Sequence, residues 1–340
     1  MKVMALNLSS GGLEFASARP GGGEWIKGMV PLRSFDESEA RTVSERLAAS
    51  LKGEPVDLLA ASGGLDAPLN GGVYFLNDDL EGRLASAGAI GFAPLVALLT
   101  ARLLGLRALL VEPMTSSELL PHGLITGLPE LPVRPLRHAP QVKWCNMLAR
   151  EEGLFPQDAS SVVAYLGRGF SVCALKGDRV LDSNNPEETG PFSVAFSGSV
   201  PAMDLIREAL SGRRSREELV RLLAGGGGVA GYLGTYLMTE VEASYQRGSQ
   251  RAAEVVRAMA HQVSQSLWAM AGALDGAVDF IALCGGCAAF SDLSDLISRR
   301  VQWIAPVFRY PRITGLQAVS ELALRSLDGR YTPPAEIGPL

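Results

Sequence analysis

Tyr165-Leu166-Gly167-Arg168-Gly169-Phe170-Ser171 lies between two apolar runs, residues 161–164 and 172–175, and the second run ends at the turn Lys176-Gly177-Asp178. A third short run, Val180-Leu181, leads to Asp182 and the polar stretch Ser183-Asn184-Asn185-Pro186. The spacing predicts strand, glycine bend, strand, tight turn, strand. Glycines at such a bend let backbone N–H groups come close to a phosphate. Glycine bends between strands are common, so the stretch gains its meaning from the rest of the chain.

At 340 residues the chain exceeds the size at which a single core stops growing, which predicts two domains. Its apolar content of 47% supplies material for both cores. A net charge of −5, without any block of like charges, argues against a nucleic-acid or anionic-membrane binder. The N-terminus lacks the apolar core and cleavage site of a signal peptide. Residues 88–114 are apolar, but Arg102 and Arg107 break them into a buried helix and strand instead of a membrane span. Cys145, Cys173, Cys284 and Cys287 sit in apolar settings and do not form a disulfide framework, so a cytoplasmic location is expected.

Residues 1–7 and 13–18 read as a hairpin around Leu8-Ser9-Ser10-Gly11-Gly12. Ser34 and Glu37 form a capping-box pattern before a helix in which Val43, Leu47, Ala48 and Leu51 recur. Residues 56–61 predict a buried strand running into Ser62-Gly63-Gly64-Leu65. Residues 94–105 then predict a helix, and 108–111 a strand. A helix over 142–152 ends the first half, with a boundary near residue 155. Further on, helices are expected at 203–210, at 217–223 with a Ser215/Glu218 capping box, and at 253–271. A buried strand, 279–283, enters Cys284-Gly285-Gly286-Cys287. This alternation predicts two similar α/β domains, 1–155 and 156–315, facing one another across a cleft. A last helix at 316–330 is expected to pack back on the first domain, leaving 331–340 as a loose tail.

The ordered motifs resemble the butyrate kinase branch of the acetate and butyrate kinase family, within the actin-like (ribonuclease H-like, ASKHA) superfamily. Gly63-Gly64-Leu65 with Pro68, Gly72-Val73-Tyr74 and Asn77 match the family's first half, and Val111-Glu112-Pro113 stands where the family writes Val-Asp-Pro. His138-Ala139 and Lys143 fall where it writes His-Ala-Leu-Asn-Gln-Lys. Leu166-Gly167 with Gly169 and Ser171 correspond to its Leu-Gly-Gly-Gly followed by Ser. Asp182, Asn184, Asn185, Gly190-Pro191-Phe192-Ser193, Tyr232-Leu233-Gly234-Thr235, Glu240-Val241-Glu242, Ala258-Met259-Ala260 with Gln262, and Gly285-Gly286 follow in register. The resemblance implies two actin-like domains and a homodimer joined through the second. It also implies ATP- and Mg2+-dependent phosphoryl transfer to a short-chain carboxylic acid.

Such a transfer brings two anions together, so charge on the moving phosphoryl group must be neutralised. The family uses two arginines, two histidines, a glycine-rich cradle and acidic groups for magnesium. In this sequence Ser62 and Phe196 stand at the arginine positions, and Tyr165 and Phe92 at the histidine positions. Glu112 stands at the aspartate and is the candidate magnesium ligand, while Tyr236-Leu237 replace an Asn-Asp. Losing one preorganised donor costs about two to three powers of ten in rate. The expectation is therefore an ordinary activity lost or altered, with Phe92 and Phe196 filling anion space or favouring a more apolar substrate. The alternative is a non-catalytic nucleotide-binding, assembly or regulatory subunit on the same fold.

The nucleotide-shaping residues persist. The resemblance carries phosphate binding to Asn7, Ser9, Ser10, Gly167 and Gly169, the adenosine loop to Gly285 and Gly286, and the substrate cleft to Gly63 and Gly64. Arg168, absent from the family's all-glycine bend, either reaches a phosphate or is a solvent-facing turn residue. Cys284-Gly285-Gly286-Cys287 lacks the second pair or histidines of a zinc site and reads as buried thiols beside a turn. His122, His138 and His261 form no set and are read as structural or surface residues. An interface between copies is expected from the apolar faces of 233–241 and 253–271, with internal packing as the competing reading.

Overall fold

The computed structural model describes residues 1–9, 11–19, 26–67 and 69–337. In chain order these form β1 (Val3–Ser9), β2 (Gly12–Ala18), β3 (Lys27–Val30), α1 (Glu37–Leu51), β4 (Leu58–Ala61), β5 (Val73–Leu76), α2 (Glu81–Ser86), α3 (Ala89–Leu104) and β6 (Arg107–Val111). Then follow α4 (Ala139–Glu152), β7 (Ser160–Leu166), β8 (Phe170–Lys176), β9 (Arg179–Ser183), α5 (Ala202–Leu210), α6 (Arg216–Leu223), α7 (Gly228–Leu233), α8 (Met238–Gln246) and α9 (Gln250–Gly272). The chain closes with β10 (Phe280–Cys284), α10 (Ser291–Val301), β11 (Val307–Tyr310), α11 (Gly315–Leu327) and β12 (Ala335–Glu336).

Two compact units result. The first holds Met1–Glu118, Ala139–Trp144 and Thr314–Leu340, and the second Leu119–His138 and Cys145–Ile313. The first unit's sheet runs β12-β5-β6-β4-β1-β2-β3. Its centre, β1-β4-β6, is parallel, and β1-β2-β3 is an antiparallel meander. The apolar strands β4 and β6 are covered on both faces, as parallel strands must be. Ala335 and Glu336 pair with Tyr74 and Phe75, so the sheet extends into the segment expected to be a loose tail.

The second unit's sheet runs β11-β10-β7-β8-β9, with β7, β10 and β11 parallel and β7-β8-β9 antiparallel. The α9 helix buries Val256, Met259, Ala260, Val263, Leu267 and Ala271 in this unit's core together with Val162, Ala164 and Val172. Residues three and four apart share one helix face, and here the sheet takes that face. The expected use of this stripe between copies is thus corrected to internal packing.

Two helix starts show how caps decide boundaries. At α6, Ser215 Oγ accepts from Glu218 N at 3.2 Å while Glu218 Oε2 accepts from Ser215 N at 2.8 Å, the reciprocal box expected from the sequence. At α1 the cap is Asp36, accepting from Glu39 N at 2.9 Å, and Ser34 Oγ only donates to Asp36 at 2.7 Å. A carboxylate outcompetes the nearby hydroxyl because it also complements the helix dipole.

Candidate functional site

In the second unit the opening hairpin forms as expected, with Tyr165 paired to Ser171 and Leu166 to Phe170. Its glycines sit in close contacts. A Cβ on Gly167 would lie 2.5 Å from Tyr165 Oη, and one on Gly169 would press on Phe196 at 3.2 Å and on His138 Cε1 at 3.4 Å. Gly285, at φ +90°, brings the end of β10 against Leu166 O, where a Cβ would sit 2.8 Å away. Gly286 is exposed and its missing Cβ would meet nothing. Cys287 Sγ donates to Gly167 O at 3.4 Å, tying this loop to the hairpin.

His138 joins the hairpin, which sequence reasoning missed. Its ring lies 4.6 Å from that of Tyr165. The fully buried Ser171 Oγ accepts from His138 N at 3.1 Å and stands 2.9 Å from Nδ1. Ser171 Oγ has two lone pairs and one proton, so it donates to Nδ1 in one imidazole tautomer and accepts from Nδ1–H in the other. In the first tautomer the ring proton is on Nε2, on the side away from Ser171. Burial lowers the imidazole to about 4, so it is neutral near pH 7. The missed signal was pairwise: His138 lies immediately before α4, and Ser171 is the last residue of the hairpin motif. His122 and His261 show no comparable contact with the hairpin. His122 instead helps hold down the carboxyl of Asp182, which burial pushes up.

Phe196 is fixed by its own turn, donating N–H to Ser193 Oγ at 3.2 Å and accepting Ser193 N at 3.0 Å. The half-buried ring lies against Gly169. Arg168 O accepts from Ser193 Oγ at 2.8 Å and Ala195 N at 3.2 Å, which pins the bend to the same turn.

The first unit holds the remaining sequence-predicted positions. Phe92 is buried in the core, edge-on to Phe35 at 5.8 Å between centroids, so the expectation that it fills open anion space is corrected. Ser62 is buried, with its N–H on Leu6 O at 3.1 Å. Gly63 and Gly64 do not line open space. A Cβ would strike Ile90 O and Pro94 Cγ from Gly63, each at 2.5 Å, and Ile90 Cγ2 from Gly64 at 2.7 Å. The α3 helix begins five residues before the expected start at Pro94, because Pro94 is accommodated inside it. Proline has no N–H for the carbonyl four residues back, Ile90 O, and Gly64 N supplies the bond instead at 3.0 Å.

Asn7 abuts the start of α11, where a Cβ on Gly315 would lie 2.7 Å from its amide, and donates to Leu8 O at 3.3 Å. Ser9 Oγ closes its own turn, donating to Gly12 O at 3.2 Å and accepting from Gly11 N at 3.3 Å. Ser10 and Pro68 lie outside the described residues.

Glu112, the candidate magnesium ligand, is fully buried at φ +47°. Lys143 Nζ stands 2.7 Å from Glu112 Oε2 and 2.7 Å from Glu118 Oε1, and Tyr331 Oη donates to Glu112 Oε1. Burial raises the Glu112 carboxyl against the opposing pull of Lys143. Burial alone would lower the ammonium of Lys143, but the two carboxylates hold it above its usual value. Both oxygens of Glu112 are engaged, so this donor set does not fit magnesium and the expectation is corrected to a buried ion-pair cluster. Among the described residues no group of three or more His, Cys, Asp or Glu could hold a metal. Nor is any described helix long and apolar enough to cross a membrane.

No model of a protein family matches the chain. It is 34% identical over 280 residues to the probable butyrate kinase 2 of Caldanaerobacter subterraneus subsp. tengcongensis, covering 81% of this chain and 79% of that protein. It is 32% identical over 281 residues to butyrate kinase 2 of Clostridium acetobutylicum, with 81% and 79% covered. In structure it is similar to Porphyromonas gingivalis acetate kinase (TM-score 0.76, 17% identity, 89% of this chain and 88% of that one). It is equally similar to a propionate kinase from Francisella tularensis (TM-score 0.76, 15% identity, 94% and 98%). The two mixed α/β units thus have the acetate-kinase-like, ASKHA fold.

Proposed function

The chain belongs to the butyrate kinase family of carboxylate kinases, and from that premise we propose that it transfers a phosphoryl group between ATP and a small carboxylate with a changed set of cations. A carboxylate oxygen of the acid bonds to the terminal phosphorus of ATP, the bond from that phosphorus to its bridging oxygen breaks, and an acyl phosphate and ADP leave. Gly167, Gly169, Gly285 and Gly286 shape the nucleotide site of the second unit. Members of the family work with ATP and Mg2+. This chain's Glu112 is committed to Lys143 and Tyr331, and no step is assigned to the ion.

The observation that carries this reading is His138, a neutral imidazole fixed by Ser171 against the glycine hairpin. With the family's histidine position taken by Tyr165, its Nε2–H tautomer, in which Nδ1 accepts from Ser171, is a preorganised donor at the hairpin, able to hydrogen-bond a phosphoryl oxygen. Such a donor is stronger in the transition state, when charge spreads over the phosphoryl oxygens.

A second reading, nucleotide binding without transfer, is favoured by Ser62 and Phe196 at the arginine positions. Hydroxylamine trapping of acyl phosphate separates the two across a panel of acids with ATP and Mg2+. Hydroxamate above the no-enzyme control supports transfer. No product from any acid, with a melting temperature raised by Mg-ATP, supports the second reading. A flat thermal response at millimolar ATP sinks both.

A further inference from the structure

Two departures from the family pattern touch each other. Arg168 stands in a bend that the family writes with glycines, and Tyr236 stands where it writes asparagine. In the second unit the guanidinium of Arg168 lies over the Tyr236 ring, 4.6 Å from its centroid. The ring is itself held, since Tyr236 Oη donates to Gly225 O at 2.9 Å. The neighbouring Ala224 forms an isolated antiparallel bridge with Phe196, whose ring presses on Gly169, next to Arg168. Arg168, Tyr236, residues 224 and 225, Phe196 and Gly169 therefore close a ring of contacts. The Arg168 side chain is exposed, and its guanidinium pairs with no carboxylate among the described residues.

We propose that Arg168, braced on Tyr236, is the anion-binding residue that receives the phosphate chain of the nucleotide, in place of the arginine that the family carries at position 196. The loss at 196 and the gain at 168 occur on adjoining surfaces, so one cation is exchanged for another at the same hairpin. A guanidinium stacked on an aromatic face keeps its charge and its edge donors while losing rotamer freedom, which lowers the entropic cost of binding an anion. The backbone bonds from Ser193 and Ala195 to Arg168 O fix the base of the side chain in the same way. The proposal deepens the function proposed above and rests on it.

Calorimetric titration of ATP, ADP and AMP into the full chain tests it, using wild type, R168G, R168K, Y236N and R168G/F196R. R168G, which restores the family's glycine, is expected to weaken ATP by about tenfold or more, ADP less, and AMP little. R168K keeps the charge without the planar stack and should fall between wild type and R168G. R168G/F196R, which returns the cation to its family position, should recover part of the loss. Y236N should weaken ATP several-fold while leaving AMP near the wild-type value.

Equal ATP affinity in R168G and wild type overturns the proposal. So does an equal loss for all three nucleotides, which marks a disturbed fold and not a lost phosphate contact. Failure of both R168K and R168G/F196R to exceed R168G overturns it too, because charge would then be irrelevant. Wild type that binds no ATP overturns the proposed function itself, an outcome distinct from wild type that binds while R168G binds equally well.

Discussion

His138 shows how much one serine can decide. With Nδ1 engaged by the Ser171 hydroxyl, the imidazole is held in one orientation, and His138→Gln or Ser171→Ala should lower kcat more than it raises KM for the acid that proves to be the substrate. The pH dependence of stability gives a second readout. Burial lowers this histidine from 6.5 to about 4, so between those values the unfolded chain binds the proton and the folded one does not. Stability therefore rises with pH in that window and is lost as pH falls through it, by up to about 3 kcal/mol. Chemical denaturation of wild type and H138Q at about pH 4.5 and pH 7 should show a shallower pH slope in the variant. The same slope in both would remove His138 from this role.

The cysteines carry a second expectation at this scale. All four are buried, burial raises the Cys284 thiol, and burial pushes Cys287 up to about 12. A thiol reagent should label none of the four in the native chain and all of them in denaturant.

Among elements, the Glu112–Lys143–Glu118 cluster joins the segment that follows β6, which carries both glutamates, to the α4 helix, with Tyr331 added beyond α11. All of its members belong to the first unit. Lys143→Met would leave two carboxylates without their cation, which costs about 3–5 kcal/mol when a buried pair is broken. The variant's folded state should then hold a proton on Glu112 that the unfolded chain releases. Its stability consequently falls as pH rises, opposite in sign to the His138 effect. Melting curves of K143M at about pH 5 and pH 8 check this. A melting temperature insensitive to the substitution would show the cluster to be dispensable.

Sequence periodicity located α9 and the hairpin because their signals are local, a repeat of three and four or a glycine bend between apolar runs. It failed at α3, where Pro94 reads as a start only until Gly64 is seen to supply the missing bond. It failed likewise at Glu112, which resembles a metal ligand until Lys143 and Tyr331 arrive from distant positions in the chain. The candidate site was legible as backbone, through Gly167, Gly169 and Gly285. Its chemistry was hidden, because His138 and Ser171 are separated by 33 positions and only folding pairs them.

At the scale of the molecule, the second unit keeps an unusual share of apolar surface in one segment. Val200, Met203, Ile206, Leu210, Val220, Tyr232 and Leu237 are all exposed, with Met203 at 61% and Leu210 at 83%. The α5 helix buries none of its residues, although its apolar side chains fall on one face. An exposed apolar helix face of this kind on a folded unit marks an interaction surface. The charged side chains of this helix and of the turn after it are paired within the chain, Arg207 with Asp204 and Arg213 and Arg214 with Glu208. We propose this face, in place of α9, whose apolar stripe the core has taken, for the homodimer that the family resemblance implies. Light scattering after size exclusion should give twice the 36.0 kDa chain mass for wild type. It should give the single-chain mass for M203E/I206E, with the melting temperature of the dilute protein little changed, because neither side chain is part of the core. A double variant that remains dimeric would move the interface off this face, and a monomeric wild type would remove the dimer altogether.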